Sequence, residues 1–135
     1  MSIPETFTVP FSVAARRGEL LNAQCPSRDV LKHMTSRWGV LVLVILLGGM
    51  HRFSDLRRKI GGVSEKMLAQ TLQGLEADGL LDRKSLPVVP PHVEYSLTPL
   101  GIEAARHLEV MVDWIEASMP RIMAYREARE EGNVD

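Results

Sequence analysis

Polar side chains between residues 64 and 74 recur at helical spacing, and their chemistry suits contact with the edges of DNA bases. Leucines in the same stretch also recur at helical spacing, which predicts that their side of the helix is buried and that the opposite side faces outward. The outward positions are Glu65, Lys66, Ala69, Gln70, Gln73 and Gly74. Gln70 and Gln73 carry paired donor and acceptor groups that suit adenine, and Lys66 suits phosphate or guanine. A solvated polar face is the alternative interpretation.

Basic residues lie on both sides of this helix and suit contact with phosphate. Arg57, Arg58 and Lys59 precede it, and Lys84 and His92 follow it in a predicted hairpin. Phosphate contacts set the register of a protein on DNA without reading sequence. His92 would add positive charge mainly near or below its unperturbed pKa of about 6.5. Each of these residues also fits an ordinary solvated surface.

Cys25 is the single cysteine of the chain, which excludes an internal disulfide. It lies just before a predicted helix, where exposed backbone N–H groups favour a thiolate that reacts with oxidants or electrophiles. A resolving thiol would come from Cys25 of a second subunit or from a small molecule. An inert side chain is the alternative, because burial raises the pKa of a thiol and removes its reactivity.

Catalytic and metal-binding chemistry has little support in this sequence. Asp29 and His33 share a helical face at positions i and i+4, but no third group or phosphate-binding loop accompanies them. No group of Cys and His residues has the spacing of metal ligands. We therefore expect no enzyme activity, no metal and no cofactor.

Two helices are predicted before the basic residues Arg57, Arg58 and Lys59. Pro26 opens the first, which runs to about Met34, and Thr35 or Ser36 caps the second, over residues 37–47. The second is almost wholly apolar, so periodicity alone leaves a buried strand as an alternative. The cap before it and the glycine pair after it favour a helix.

Two further helices joined by a glycine turn predict a helix-turn-helix. After a very short strand at residues 50–52, Ser54 caps a helix through about Lys59. Ser64 caps the helix with the polar face, and Gly79 ends it. Such a pair places its second helix in the major groove of DNA, so Ser64 belongs with the DNA-contacting residues.

A proline-rich hairpin follows the second helix of this pair. Residues 80–86 and 93–97 have strand character, and three prolines lie between them. The prolines stiffen the tip and remove backbone donors, which predicts a projecting wing that can reach a phosphate backbone. Arg83, in the first strand, could pair within the fold instead of contacting DNA.

A long helix after the hairpin carries more apolar surface than one small core needs. Thr98 and Pro99 begin it, and Pro120 breaks it just after Ser118. The wide apolar face predicts a partner helix and therefore a homodimer. The predicted interface residues are Leu108, Met111, Val112, Trp114 and Ile115.

Composition and charge fit a small intracellular protein with one folded domain. The chain has 135 residues, of which 45% are hydrophobic and 24% charged. We divide it into an irregular arm (1–24) that could become helical over 12–21, a winged-helix domain with its dimerisation helix (25–119), and a short helix with a polar tail (120–135). Neither a membrane-spanning run nor a signal peptide is present, which predicts a cytoplasmic protein.

The formal net charge of −1 hides an asymmetry along the chain. Lys and Arg outnumber Asp and Glu by five to three in residues 1–50 and by seven to five in residues 51–92. Residues 98–135 have four basic and eight acidic side chains. A basic front followed by an acidic tail is compatible with DNA contact on one face.

An ordered set of motifs resembles the HxlR-type regulators of the MarR-like superfamily. The set comprises Cys25–Pro26, Arg37–Trp38, Arg52–Arg57, Ser64–Leu68, Leu72, Leu75–Leu80, Arg83, Pro87–Thr98 and Gly101. The resemblance implies a mainly helical, winged helix-turn-helix repressor or activator with a small β-hairpin wing, dimerised through its N- and C-terminal helices. It also implies that residues 40–47 are helical. The family commonly has a basic residue where His92 stands, and some members sense redox state through a cysteine at the position of Cys25.

Two functions remain open from sequence. The first is a homodimeric regulator that reads a palindromic operator in double-stranded DNA and responds to an oxidant or a small-molecule effector. Trp38 and Trp114 could line a cleft for such an effector, although core packing is the more frequent fate of tryptophan. The alternative is a dimeric winged-helix module that binds protein and reads no DNA sequence, as the acidic tail and His92 suggest.

Overall fold

The computed structural model describes residues 21–132, which form five helices and a three-stranded antiparallel sheet. The helices are α1 (Pro26–Thr35), α2 (Arg37–Leu46), α3 (Phe53–Lys59), α4 (Glu65–Ala77) and α5 (Pro99–Gly132). The strands are β1 (His51–Arg52), β2 (Leu81–Leu86) and β3 (His92–Leu97), with β3 in the middle of the sheet. The predicted winged-helix architecture is confirmed. The helix considered for residues 12–21 lies outside the described residues except for its last position.

Helix α2 is the centre of the hydrophobic core and packs against α1, α4, α5 and β3. Its residues Val42, Leu43 and Leu46 are buried. The hydroxyl of Ser36 accepts a hydrogen bond from the backbone N–H of Gly39 at 3.1 Å, which caps the helix. The apolar run is therefore a helix through Leu46, as the cap and the resemblance predicted, and Leu47 is its C-cap residue. No helix among residues 21–132 is long and apolar enough to cross a membrane.

Helices α3 and α4 form the predicted helix-turn-helix. The Ser64 hydroxyl accepts from the backbone N–H of Met67 at 3.1 Å, and Gly79, at a φ of 77°, follows the last turn of α4. The prediction that Ser54 caps α3 is wrong, because the helix begins at Phe53 with Arg52 as its N-cap. Arg52 is held in strand β1 by pairing with β3, so the chain enters the helix earlier than the serine suggested.

The wing is the β2–β3 hairpin, with Leu81 opposite Leu97 at its base and Leu86 opposite His92 near its tip. Strand β1 extends the sheet on the other side of β3, where His51 is opposite Tyr95. Because Tyr95 is buried, this pairing joins the wing to the core. The hairpin is therefore fixed at its base and projects at its tip.

Helix α5 extends to Gly132, so the predicted break at Pro120 is wrong, and the predicted short helix and tail belong, as far as Gly132, to one continuous helix. Proline removes one backbone donor from a helix interior, and the long stretches on either side keep their own hydrogen-bond ladders. One missing bond is too little to end a helix of this length. The Thr98 hydroxyl caps its start by accepting from the N–H of Gly101 at 2.9 Å.

Candidate nucleic-acid interface

The outer face of α4 presents the predicted base-reading side chains to solvent. Lys66, Gln70 and Gln73 are all exposed, and Leu68 and Leu72 on the opposite side are buried. Ser64 is exposed at the N-terminal end of the helix. The face is thus formed by one rigid helix whose rotation about its axis is set by the buried leucines.

Gly74 does not belong to this free face. A β-carbon built at Gly74 would lie 3.1 Å from Cδ2 of His33, because the imidazole of that residue packs against the helix there. Ala69 is also half-buried. The exposed reading surface is therefore narrower than the sequence predicted.

The Arg57 guanidinium is paired with the first residue of α4. Its Nη1 donates to Oε1 of Glu65 at 2.9 Å, and the two side chains are 49% and 69% exposed. The pair joins α3 to the start of α4 at the surface. Arg57 therefore has an intramolecular partner in addition to its predicted role toward phosphate, and its remaining donors still face solvent.

Arg58 belongs to a small network at the start of α3. Its Nη2 donates to Oδ1 of Asp55 at 2.7 Å, and Oδ2 of Asp55 accepts from the backbone N–H of Arg52 at 3.3 Å. The hydrogen bond from Arg52 lowers the pKa of Asp55 below its ordinary value of 3.8, desolvation opposes this, and Arg58 adds to the lowering. The ionised carboxylate is thus the form that the helix start favours.

Lys59 is directed toward a buried histidine. Its Nζ lies 2.8 Å from Nε2 of His51, while Nδ1 of His51 lies 2.8 Å from the carbonyl of Gly49. A carbonyl only accepts and an ammonium only donates, so His51 is neutral with its proton on Nδ1. Lys59 therefore stabilises the junction of α3 and β1 with one of its three donors, and the other two can reach phosphate.

Lys84 and His92, the two wing residues predicted to contact phosphate, lie in different surroundings. Lys84 is exposed and is opposite Glu94 across the hairpin. His92 is half-buried at the start of β3, in a cleft that it shares with Arg52 and Ser54 rather than at the tip. The tip itself is uncharged and carries apolar surface, since Val89 is 99% exposed.

Arg83 was missed as an interface residue by sequence reasoning. It is exposed and lines a cleft between α4 and the wing with Gln73, Glu76 and Tyr95. Among residues 21–132 the structure shows no ion pair or hydrogen bond of its side chain. No local signal in the sequence pointed to this cleft, because α4 and the wing that form it are separate elements of the chain.

This chain can be assigned to a family from comparison with known proteins. A sequence profile described as HxlR-like helix-turn-helix matches residues 33–123. The chain belongs to the HxlR-like helix-turn-helix family. It is 62% identical over 121 residues to the uncharacterized HTH-type transcriptional regulator YtfH of Escherichia coli (strain K12), a match that covers 90% of this chain and 96% of the relative.

Solved structures of other regulators have the same fold. The transcriptional regulator ytfH from Salmonella typhimurium is 67% identical with a TM-score of 0.77, over 80% of this chain and 96% of that one. The redox regulator HypR in its oxidized form is 33% identical with a TM-score of 0.63, over 69% of this chain and 96% of that one. The predicted resemblance and the winged-helix fold are confirmed.

The predicted dimer residues of this HxlR-like chain are only partly exposed. Met111, Trp114 and Ile115 on α5 are 40%, 60% and 37% exposed, and Val112 is half-buried. Leu108 is only 6% exposed and belongs to the core of the single chain, which corrects its assignment to a partner-facing surface. Helix α5 therefore has a core face and a separate exposed apolar face.

The two tryptophans contact different surroundings. Trp38, at the start of α2, is half-buried against the core, with Cζ of Arg37 5.2 Å from the centre of its ring. Trp114 instead lines a groove on α5 with Arg121 and Tyr125. The packing of Trp38 is the core role that sequence favoured.

Cys25 is the N-cap residue of α1 and is half-buried. Its Sγ lies 2.9 Å from the hydroxyl of Ser27. The family match begins at residue 33, so it does not include this cysteine. Among residues 21–132, no group of three or more His, Cys, Asp or Glu could hold a metal ion.

Proposed function

We propose that this HxlR-like chain is a homodimeric transcription regulator that binds DNA with sequence specificity. The observation that carries the proposal is the exposed polar face of α4, where Lys66, Gln70 and Gln73 lie on one capped helix beside a wing. A helix of this kind fits the major groove, which offers a distinct pattern of donors and acceptors for each base pair.

The groups around α4 supply the sequence-independent part of this binding. Arg57, Arg58, Lys59 and Lys84 are exposed and have donors left for phosphate oxygens. Arg83 adds a cation between α4 and the wing, close to Gln73. Phosphate contacts of this kind make affinity fall steeply with salt.

Dimerisation through α5 would place two copies of α4 on one side of the assembly. The exposed apolar face of α5, which includes Met111, Trp114 and Ile115, suits a second copy of the same helix. Two reading helices related by a twofold axis recognise half-sites about 34 Å apart, which explains the expected palindromic operator.

The experiment that tests this proposal is selection of duplexes from a random pool, followed by fluorescence anisotropy at moderate salt. We expect an enriched palindrome that binds at least about 1,000-fold more tightly than a scrambled duplex. Equal binding to every duplex, or none, would refute sequence-specific reading. In that case a stoichiometric protein partner in a pull-down would support the alternative of a protein-interaction module.

We further propose that Cys25 makes DNA binding responsive to oxidants. Oxidation would remove two electrons and two protons from two thiols, Cys25 of each subunit or Cys25 and a small thiol, to form a disulfide. The proposal is supported by the position of the thiol at the start of α1 and by the similarity to HypR, which is named a redox regulator.

Mobility shifts with the selected duplex test this response. Diamide, which accepts the two electrons and two protons, should weaken binding by the wild-type protein and leave the Cys25→Ser variant unchanged. Dithiothreitol should restore the wild-type shift. An equal effect of diamide on both proteins would exclude Cys25 as the responsive group.

A further inference from the structure

His33 forms a polar link between α1 and the end of the DNA-reading helix. Its Nδ1 lies 2.6 Å from Oδ2 of Asp78, a residue 45 positions away, and the side chains are 33% and 14% exposed. A carboxylate only accepts, so Nδ1 carries the proton and donates it to Asp78. Asp78 is the C-cap residue of α4, so the bond holds the last turn of that helix.

The surface of α4 is shaped to receive the imidazole ring. Ring atoms Cδ2 and Nε2 of His33 would lie 3.1 and 3.3 Å from a β-carbon at Gly74, closer than ordinary contact. Glycine in the middle of a helix lowers its stability by about 1 kcal/mol relative to alanine. The space at Gly74 therefore has a structural use, which is to let the ring lie against the helix backbone.

The negative charge of Asp78 is a further reason why its hydrogen bond with His33 is favourable. A helix C-terminus carries a partial negative charge, so a carboxylate there is unfavourable unless it has a donor. Helix α4 has no basic residue in its last turn. The imidazole of His33 supplies the donor from another element.

Within residues 21–132, helix α1 lies on the surface of the domain. None of its ten residues is buried, and of its apolar side chains Met34 packs against the core cluster. It packs on α2 and α4. The bond to Asp78 is therefore a specific polar contact that relates α1 to α4.

We propose that His33 is a positioning residue for DNA reading, which holds the C-terminal end of α4 in the place where Lys66, Gln70 and Gln73 meet base edges. The inference rests on the proposed function. Binding constellations need positional precision of about 0.5 Å, so release of one end of α4 lowers discrimination between sequences. Contacts to phosphate tolerate such a shift better, because they do not depend on matched donor and acceptor patterns.

The test compares variants of the full chain on the selected duplex and on a scrambled duplex of the same composition. Anisotropy is measured at least 20 °C below the melting temperature of every protein. His33→Ala should raise Kd for the selected duplex about tenfold and leave Kd for the scrambled duplex unchanged. His33→Asn, which keeps a donor near the position of Nδ1, and Lys32→Ala, at an exposed neighbour, should stay within about twofold of wild type.

Gly74→Ala separates positioning from stability. Alanine favours helix by about 1 kcal/mol, which offsets stability lost where its methyl group displaces the ring of His33, so the variant should melt close to the wild-type temperature. We expect a loss of discrimination in the same direction as for His33→Ala. Unchanged discrimination in both variants, or a parallel loss on both duplexes with a lower melting temperature, would overturn the inference. Failure of the wild-type protein to prefer any duplex would instead overturn the proposed function.

Discussion

At the scale of single residues, the basic side chains and the glutamines of the interface have different surroundings. Arg57, Arg58 and Lys59 each have a partner within the protein, whereas Gln70 on α4 is directed to solvent. A side chain that is already paired is held in one orientation and suits a fixed phosphate. The side-chain amide of an exposed glutamine can rotate, so it can present either its donor or its acceptor to a base edge.

Truncation of the α4 face should separate base reading from phosphate contact. Gln70→Ala should reduce discrimination at one base pair by about 1–3 kcal/mol. Lys84→Ala should weaken binding to all duplexes alike and reduce the salt slope by about one. Anisotropy titrations against single-base variants of the selected duplex, at several salt concentrations, measure both. Uniform weakening by Gln70→Ala would mean that this residue reads no base.

Asp55 gives stability a pH dependence of known sign. Its pKa is lowered in the folded protein by the backbone N–H of Arg52, so its contribution is present above the ordinary pKa of 3.8 and is lost as pH falls through the folded value. Asp55→Asn should therefore be less stable than wild type near neutral pH, and the difference should shrink below about pH 4. Urea unfolding at a series of pH values measures it. A difference that stays constant with pH would contradict the assignment.

At the scale of elements, side-chain caps determine where the helices begin. Ser36, Ser64 and Thr98 each accept a hydrogen bond from a backbone N–H in the first turn of α2, α4 and α5. Ser54 has the same chemistry but lies inside α3, because pairing of β1 with β3 has already set the start of that helix. The same residue type thus acts as a cap only where the chain enters the helix at that residue.

Ser64, which caps α4, and Ser54, which does not cap α3, can be compared by substitution with alanine. Ser64→Ala should lower the free energy of unfolding by about 1 kcal/mol, since it leaves an N–H of α4 without its cap. Ser54→Ala, also exposed and in a first turn, should change it by less than about 0.5 kcal/mol. Urea unfolding followed by circular dichroism provides both values. Equal losses would show that the cap at Ser64 is not what stabilises α4.

At the scale of the whole molecule, α5 has two faces with different roles. One packs in the core through Ala105 and Leu108, and the other exposes Trp114 and its neighbours to solvent. Apolar side chains that are exposed together commonly mark a site of interaction with another protein surface. The exposed face is the surface through which we propose that a second subunit binds, and such a contact would set the spacing of the two α4 helices.

If the proposed dimer forms through α5, Trp114→Ala should weaken it strongly. Buried tryptophans at interfaces commonly contribute 2 kcal/mol or more, so the dimer dissociation constant should rise by at least about thirtyfold. Glu116→Ala is the control, because a residue two positions away points to the opposite side of a helix. Sedimentation at several concentrations measures both variants. A Trp114→Ala protein that dimerises like wild type would place the interface elsewhere.

Local chemistry in the sequence determined the order of the elements, the caps at Ser64 and Thr98, and the exposed polar face of α4, and it left the cap of α2 open between Thr35 and Ser36. These features depend on residues within one or two helical turns of each other, and such spacing is visible along the chain. The resemblance to HxlR-type regulators implied that residues 40–47 are helical, whereas periodicity alone could not distinguish a helix from a buried strand.

Only the tertiary structure decided which distant groups meet. It paired His33 with Asp78 and Lys59 with His51, and it buried Leu108 in the core. The spacing of apolar residues along a helix shows on which side of the helix a residue lies, but it does not show which other element packs against that side. The partner of a side chain depends on how whole elements pack, and packing is a property of the assembled core.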